Sequence, residues 1–492
     1  MTKTATRYET VIGIEVHAQL LTRSKMFCSC SNPTLESPPN SHVDPVCLGM
    51  PGVLPVINRQ AVELTIMTGL ALNCTIAGEA KFDRKNYHYP DLMKGYQISE
   101  YDLPICLNGW LEIEVDGQTK RVGITRVHLE EDTARLLHQT DAATGDPYSL
   151  VDVNRSGVPL MEIVSEPDIR SAEEARAYLQ KLRQILRYIG ASRANMEEGN
   201  MRCEPNVSIR PQGSSEFGQK VELKNINSFK HAYDGIHYEE KRQADVLDSG
   251  GRVVQETRGW REDLGQTVSQ RSKEGAADYR YFPEPDLPPL NITREWVEEI
   301  RAQMPELPDA KRARFQEQYS LSEYDARVLA DSRARADFFE DAVALGGGTP
   351  QRAKTVANWV NGDLARLLNA ANLDIIDSQV TPGALSALID LQEQGAISGK
   401  TAKDVFEQMF KTGREPGDIV KEQGLGQIES AGEVEAAADA AIAANPKAAQ
   451  DYRGGKEEAI KFLVGQVMKE TRGRARPEAV TAILKEKLSR GP

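Results

Sequence analysis

The chain has 492 residues, 27% of them charged and 40% hydrophobic, which is globular composition with room for about two to four domains. No apolar run approaches the roughly 20 residues a membrane helix needs, and the opening MTKTATRYET carries no apolar signal region, so a cytoplasmic protein with no membrane partner is expected. A formal net charge of −13 excludes a chain that coats nucleic acid over its whole surface, though not one with a local basic footprint.

Residues 11–20, VIGIEVHAQL, are rich in β-branched and apolar side chains and predict a buried strand. Side chains alternate along a strand, so Glu15 and His17 share a face. A carboxylate and an imidazole on a rigid apolar strand begin a cation site, or else form one satisfied hydrogen bond at a sheet edge. Six cysteines in a long cytoplasmic chain do not make a disulfide framework. Three of them, Cys28, Cys30 and Cys47, crowd together and offer thiolates for a structural zinc, with Asp44 or His42 as fourth ligand; otherwise they are plain reduced thiols.

Residues 81–91, KFDRKNYHYPD, mix cations with aromatics, as phosphate binding or stacking would need and as a solvated loop would also show. Residues 111–115 alternate cleanly and turn at Asp116-Gly117 into 121–124, which predicts a hairpin. Then come three consecutive acids, Glu130, Glu131 and Asp132, whose mutual repulsion a divalent cation would relieve and a solvated turn would tolerate. Glu162 lies inside the apolar run 159–164 and needs a metal, an arginine or a proton; Arg155 is a candidate partner, or a phosphate clamp.

Ser171 with Glu174 three residues on predicts a capped helix whose stripe is Leu179, Leu182, Leu186 and Ile189, and a second helix is predicted over 229–246. Strands and helices do not alternate regularly, so the class is α+β: a mixed antiparallel sheet over 1–293, then two all-helical domains, 294–411 and 412–492. The first boundary follows the proline run 283–289, which cannot be regular structure. Gly395-x-x-x-Gly399-Lys400-Thr401 imitates a phosphate loop but is one residue short and lacks a preceding strand, so Ser398 there is read as a helix cap. Residues 451–492 hold ten Lys/Arg against six acids, a net of +4, densest at Lys469, Arg472, Arg474 and Arg476; this is an RNA-backbone contact or a solvated helix end.

Together, and in this order, these stretches resemble the B-subunit family of tRNA-dependent amidotransferases. The likeness is carried by VIGIEVHAQL (11–20), KFDRKNYHYPD (81–91), GITRVHLEED (123–132), VDVNRSGVPLMEIVSEPDIRS (151–171), MEEGNMRCEPNVSIRP (196–211), DYRYFPEPDLPPL (278–290) and FLVGQVMKETRGRARPE (462–478). The resemblance implies a catalytic cradle, a helical linker and a helical tail that contacts tRNA(Gln) or tRNA(Asn) through Lys469, Arg472, Arg474 and Arg476. It implies an enzyme that uses ATP and Mg²⁺ to phosphorylate the side-chain carboxylate of Glu-tRNA(Gln) or Asp-tRNA(Asn). Ammonia from a glutaminase partner, the amidase of the complex, would then displace the phosphate, with a small third partner tying the complex together. In that scheme Glu15, His17 and Glu131 hold the metal, with Glu130 in reserve. Lys85, Glu162 and Glu204 line the reaction cavity, and Arg84 and Arg155 face the nucleotide. Two departures stand out: Asp44 replaces the third cysteine of zinc-bearing members, so either Asp44 ligates or the zinc is lost, and Glu204 stands where aspartate is common.

Overall fold

In the computed structural model, which describes residues 7–32, 36–272, 278–426, 431–471 and 474–489, the β-branched stretch near the N-terminus forms β1 (Tyr8–Gln19). Ile14, Val16 and Ala18 are buried on one side of it, while Glu15, His17 and Gln19 point to the other. The chain divides into two compact units, Met1–Leu307 and Pro308–Pro492.

The first unit is a twelve-stranded sheet. After β1 come β2 (Asp83–Asn86), β3 (Tyr96–Ser99), β4 (Cys106–Val115), β5 (Gln118–Glu131) and β6 (Pro159–Ser165). They are followed by β7 (Met201–Pro211), β8 (Val221–Lys224), β9 (Glu256–Arg261), β10 (Gln266–Ser272) and β11 (Phe282–Pro283). The order is β10-β9-β8-β7-β1-β6-β5-β3-β2-β11, with β4 on β5 and the short strand Thr75–Ile76 on β4. Every pairing is antiparallel except β8 with β9, so β1 sits centrally between strands that come far later in the chain.

Local chemistry explains the elements. Asp116 and Gly117, both at positive φ (52° and 73°), close the β4–β5 hairpin that the alternation predicts. Ser171 accepts the backbone N–H of Glu174 at 3.1 Å and caps α2 (Ala172–Tyr188) as read, while Glu174 Oε2 reaches one residue farther back than a capping box would, to the N–H of Arg170 at 2.7 Å. Leu179, Leu182, Leu186 and Ile189 are all buried. The sheet's apolar face packs on α1 (Arg59–Ala71), α2 and α3 (Phe229–Asp248) in one core. That leaves the opposite face free to carry polar groups.

The helix α4 (Arg294–Ala302), read as the start of the helical region, belongs to the sheet unit. Ile300 is buried and Trp296 and Val297 pack on the same core. The second unit is helical, from Pro308–Tyr319 to Pro477–Ser489. Its buried residues form two clusters, from Phe315 to Ile419 and from Val434 to Leu488. Ser398 accepts the N–H of Thr401 at 3.2 Å and starts the helix Gly399–Thr412, so the imitation phosphate loop is a helix cap. No helix among the described residues is long and apolar enough to cross a membrane.

Candidate active site

Antiparallel register sets polar side chains in rows across the sheet. Arg202 of β7 faces His17 of β1, His17 faces Glu162 of β6, and Glu162 faces His128 of β5. In the next row Glu204 faces Glu15. His17, Glu130 and Glu162 each bring one ligand atom within 4.8 Å of the others. His17 Nε2 lies 3.3 Å from Glu162 Oε2 and 3.7 Å from Glu130 Oε1.

Two acids this close and this buried cannot both ionise without a counter-ion. Burial alone would push His17 down, but the hydrogen bond and charge of Glu162, joined by Glu130, raise it to about 9. Burial drives Glu130 up, with the Glu162 charge acting in the same direction. Glu162 goes the other way: burial is outweighed by His128 and His17, which hold it well below the usual carboxylate range. Glu15 is raised by burial and by the Glu162 and Glu204 charges, and accepts a hydrogen bond from Asn206 Nδ2 at 3.1 Å. The tautomer of His128 follows from its neighbour. A guanidinium has only donors, so His128 Nδ1 accepts from Arg126 Nε at 3.2 Å and Nε2 carries the proton, 3.4 Å from Glu162 Oε2.

A second cluster forms beside the sheet, where Cys28, Cys30, Asp44 and Cys47 bring ligand atoms within 4.8 Å of one another. Asp44, not His42, completes the set; His42 Nδ1 pairs with the carbonyl of Ser31 instead, at 3.3 Å. The hydrogen bond from Cys28 pulls the Cys47 thiol down to about 6, and the same bond pushes Cys28 up. Lys25, fully buried, donates to His42 O at 2.7 Å and lies 3.5 Å from Cys47 Sγ. Three sulfurs and a carboxylate this close together suit a thiophilic cation such as zinc. The knuckle grips the loop before β6: Met26 N–H donates to Gly157 O at 2.7 Å, and Ser156 Oγ to Cys47 O at 3.2 Å. Gly157 has φ of 81°, and a Cβ there would meet Cys47 Cβ at 3.5 Å and Lys25 Cδ at 3.6 Å.

Several predicted residues stand elsewhere than expected. Glu131, expected beside Glu15 and His17, projects to the opposite face, where Oε1 pairs with Lys94 and accepts Ile98 N–H at 3.0 Å. Strand alternation is the reason: Arg126, His128 and Glu130 share one parity and Glu131 has the other. Arg84, expected on a nucleotide, is spent on Glu284, with Nε to Oε2 at 2.6 Å and Nη2 to Oε1 at 2.8 Å. Arg155 likewise donates to the carbonyls of Thr133 (2.9 Å) and Ala134 (3.0 Å), bracing a loop. Lys85, the neighbour of Arg84, does face the site; its Nζ lies 4.9 Å from the ring centroid of Tyr279 and its charge lowers Glu130. Glu204 is on the polar face, held by Lys224 Nζ at 3.1 Å. In the tail, Lys469 and Arg476 are exposed, Arg474 donates to Gly424 O at 3.2 Å, and Arg472 lies outside the described residues. Sequence reasoning missed His128, Arg126 and Arg202; the alternation of His128, Glu130 and Asp132 with Val127 and Leu129 was the available signal.

A GatB/GatE catalytic-domain model matches residues 10–298, and a GatB-domain model matches 337–488. The chain belongs to the GatB family of amidotransferase subunits. Relatives in this family include the aspartyl/glutamyl-tRNA(Asn/Gln) amidotransferase B-subunit of Carboxydothermus hydrogenoformans, 58% identical over 98% of this chain and 99% of the relative. Those of Dehalococcoides mccartyi and Moorella thermoacetica are 55% and 54% identical, over 99% and 98% of this chain and 100% of each relative. This GatB-family chain is therefore part of an amidotransferase, and its acidic row lies within the matched catalytic domain.

Proposed function

We propose that this chain activates the side-chain carboxylate of Glu-tRNA(Gln) or Asp-tRNA(Asn) with ATP and then amidates it with ammonia supplied by a glutaminase partner. The observation that carries the reading is the His17–Glu130–Glu162 cluster, three convergent ligands on the polar face of an otherwise apolar sheet. One imidazole and two carboxylates suit a divalent cation such as Mg²⁺, which would supply charge neutralisation at phosphate oxygens.

A carboxylate is a poor electrophile, and phosphorylation gives it a leaving group. Its oxygen forms the new P–O bond as the β–γ bridging bond breaks and ADP leaves; ammonia then attacks the acyl carbon, phosphate departs and a proton is lost. Such transfers need mainly positioning and electrostatic compensation. His128, in its fixed tautomer, holds Glu162 oriented, and His17 balances the acids before a cation enters. The Lys85 ammonium faces Glu130, where it would meet an anionic or ammonia-bearing reactant. The Cys28–Cys30–Asp44–Cys47 knuckle would hold zinc and brace the loop that leads into β6. The exposed Lys469 and Arg476 would contact the tRNA backbone.

The test is an amidation assay combining this chain, its amidase and small partners, ATP, Mg²⁺, glutamine and each misacylated tRNA in turn. Amidated aminoacyl-tRNA with ADP released, and neither when this chain is omitted, is the expected result. Amidation-dead mixtures in which tRNA is still bound would make this chain a tRNA scaffold and its acidic cluster structural.

A further inference from the structure

Arg202 is the cross-strand partner of His17. Its Nη2 donates to Asp132 Oδ1 at 3.0 Å, and its guanidinium forms no other hydrogen bond to a described residue. Of its side chain, 36% remains exposed, although it sits at the edge of the acidic cluster. Asp132 is the opposite case, being buried and fixed from every side. Gln19 Nε2 donates to its Oδ2 at 2.9 Å, and Arg155 Nε lies 3.6 Å from that oxygen.

One carboxylate thus faces two guanidiniums. Arg202 is its hydrogen-bonded counter-charge, and Arg155, 3.6 Å away, adds a second while bound to the carbonyls of Thr133 and Ala134. The hydrogen bond to Asp132 occupies only Nη2 of Arg202, and a buried ion pair by itself contributes little net stability. Arg202 stays half-open with spare donors beside His17. A guanidinium anchored through one nitrogen keeps the rest of its fork available, and that fork matches the paired oxygens of a phosphoryl group better than any ammonium can.

We propose that Arg202 clamps the transferring phosphoryl group of a nucleoside triphosphate at the His17–Glu130–Glu162 cluster, with Asp132 and Gln19 as the positioning residues that aim it. This rests on the phosphoryl-transfer reading above. The clamp makes and breaks no covalent bond. It donates hydrogen bonds to oxygens of the phosphorus while the substrate carboxylate replaces ADP there, and no proton changes hands with Arg202.

The experiment uses the full complex with its partners and misacylated tRNA, and follows ADP release in the wild type, Arg202→Ala, Arg202→Lys and Asp132→Asn. Mn²⁺ affinity, read by paramagnetic resonance, reports whether the metal cluster is intact. Arg202→Ala should lower kcat for ADP release by about 100-fold. Mn²⁺ and tRNA affinity should change less than about threefold, and added guanidinium ion should restore part of the rate. Arg202→Lys should remain about 10-fold down because a point charge cannot replace the fork. Asp132→Asn should lower kcat without rescue by guanidinium. ADP release at the wild-type rate in Arg202→Ala would overturn the proposal, and so would loss of Mn²⁺ binding along with the rate, which would make Arg202 a structural residue. Failure of the wild type itself to release ADP would overturn the phosphoryl-transfer reading and this inference together, a result seen before any variant is made.

Discussion

The two metal-capable clusters of the first unit are built in opposite ways. Cys28, Cys30, Asp44 and Cys47 come from one short stretch of chain and are organised by local turns, such as Cys47 N–H donating to Asp44 Oδ1 at 2.9 Å. His17, Glu130 and Glu162 come from three strands and meet only because β1, β6 and β5 pair in one register. A loop cluster can accommodate one ligand type in place of another of similar reach, since short turns adjust locally. A cross-strand cluster depends on register, because a one-residue slip turns every side chain to the other face. The first kind suits a brace and the second suits catalysis, where geometry must hold to a fraction of an ångström.

Five outcomes would sharpen or break that contrast. The largest effect is expected from Glu162→Gln or Glu130→Gln in the amidation assay, a loss of about 1,000-fold with Mn²⁺ binding abolished. The neighbouring Glu131→Gln should leave Mn²⁺ affinity nearly unchanged and instead lower thermal stability, through loss of the negative charge opposite Lys94. Mn²⁺ affinity that follows Glu131 and not Glu130 would break the assignment of faces. Next, Cys47→Ser should remove bound zinc, as read by atomic emission, and destabilise the first unit by about 2–4 kcal/mol. Mn²⁺ binding across the strands should survive it.

A smaller effect is expected behind the strand cluster, at the fully buried Glu100. Its Oε2 accepts the N–H groups of Leu129 (3.1 Å) and Ile105 (3.2 Å), while burial raises its pKa from 4.5 to about 8. Between those values the unfolded chain has released a proton that the folded chain retains. Stability should therefore fall as pH rises through that window, by at most ~1.4 kcal/mol per pH unit, and Glu100→Gln should flatten the slope in pH-dependent denaturant melts. The smallest effects belong to the tail, outside both clusters. Lys469→Ala and Arg476→Ala should each weaken tRNA binding about twofold to fivefold and reduce the slope of log affinity against log salt by about 1. Unchanged slopes would make the basic tail a solvated surface.

Much of this architecture was legible in the residues. The central strand, the Asp116-Gly117 hairpin, the Ser171 cap and the proximity of Cys28, Cys30 and Cys47 all follow from local chemistry. What failed was long-range. Choosing among Glu130, Glu131 and Asp132 required the parity of β5, which Val127 and Leu129 reveal but which three adjacent carboxylates obscure. Arg84 and Arg155 read as phosphate ligands because an arginine's partner is invisible until the fold supplies it; Glu284 lies far along the chain from Arg84. Arg202 went unread for the converse reason, since its role depends on Asp132 and on a register no single stretch encodes.

The central place of β1 has a consequence for how the protein is made. The strand precedes both of its partners, which lie within residues 159–211. At ~5–20 residues per second, Ile12, Ile14 and Val16 wait on the order of ten seconds for something to pair with. Throughout that interval the nascent chain carries an open, β-branched edge. Chaperone cover over β1 would shield that edge, and a translational pause before residue 211 would lengthen the period in which it can join the wrong neighbour.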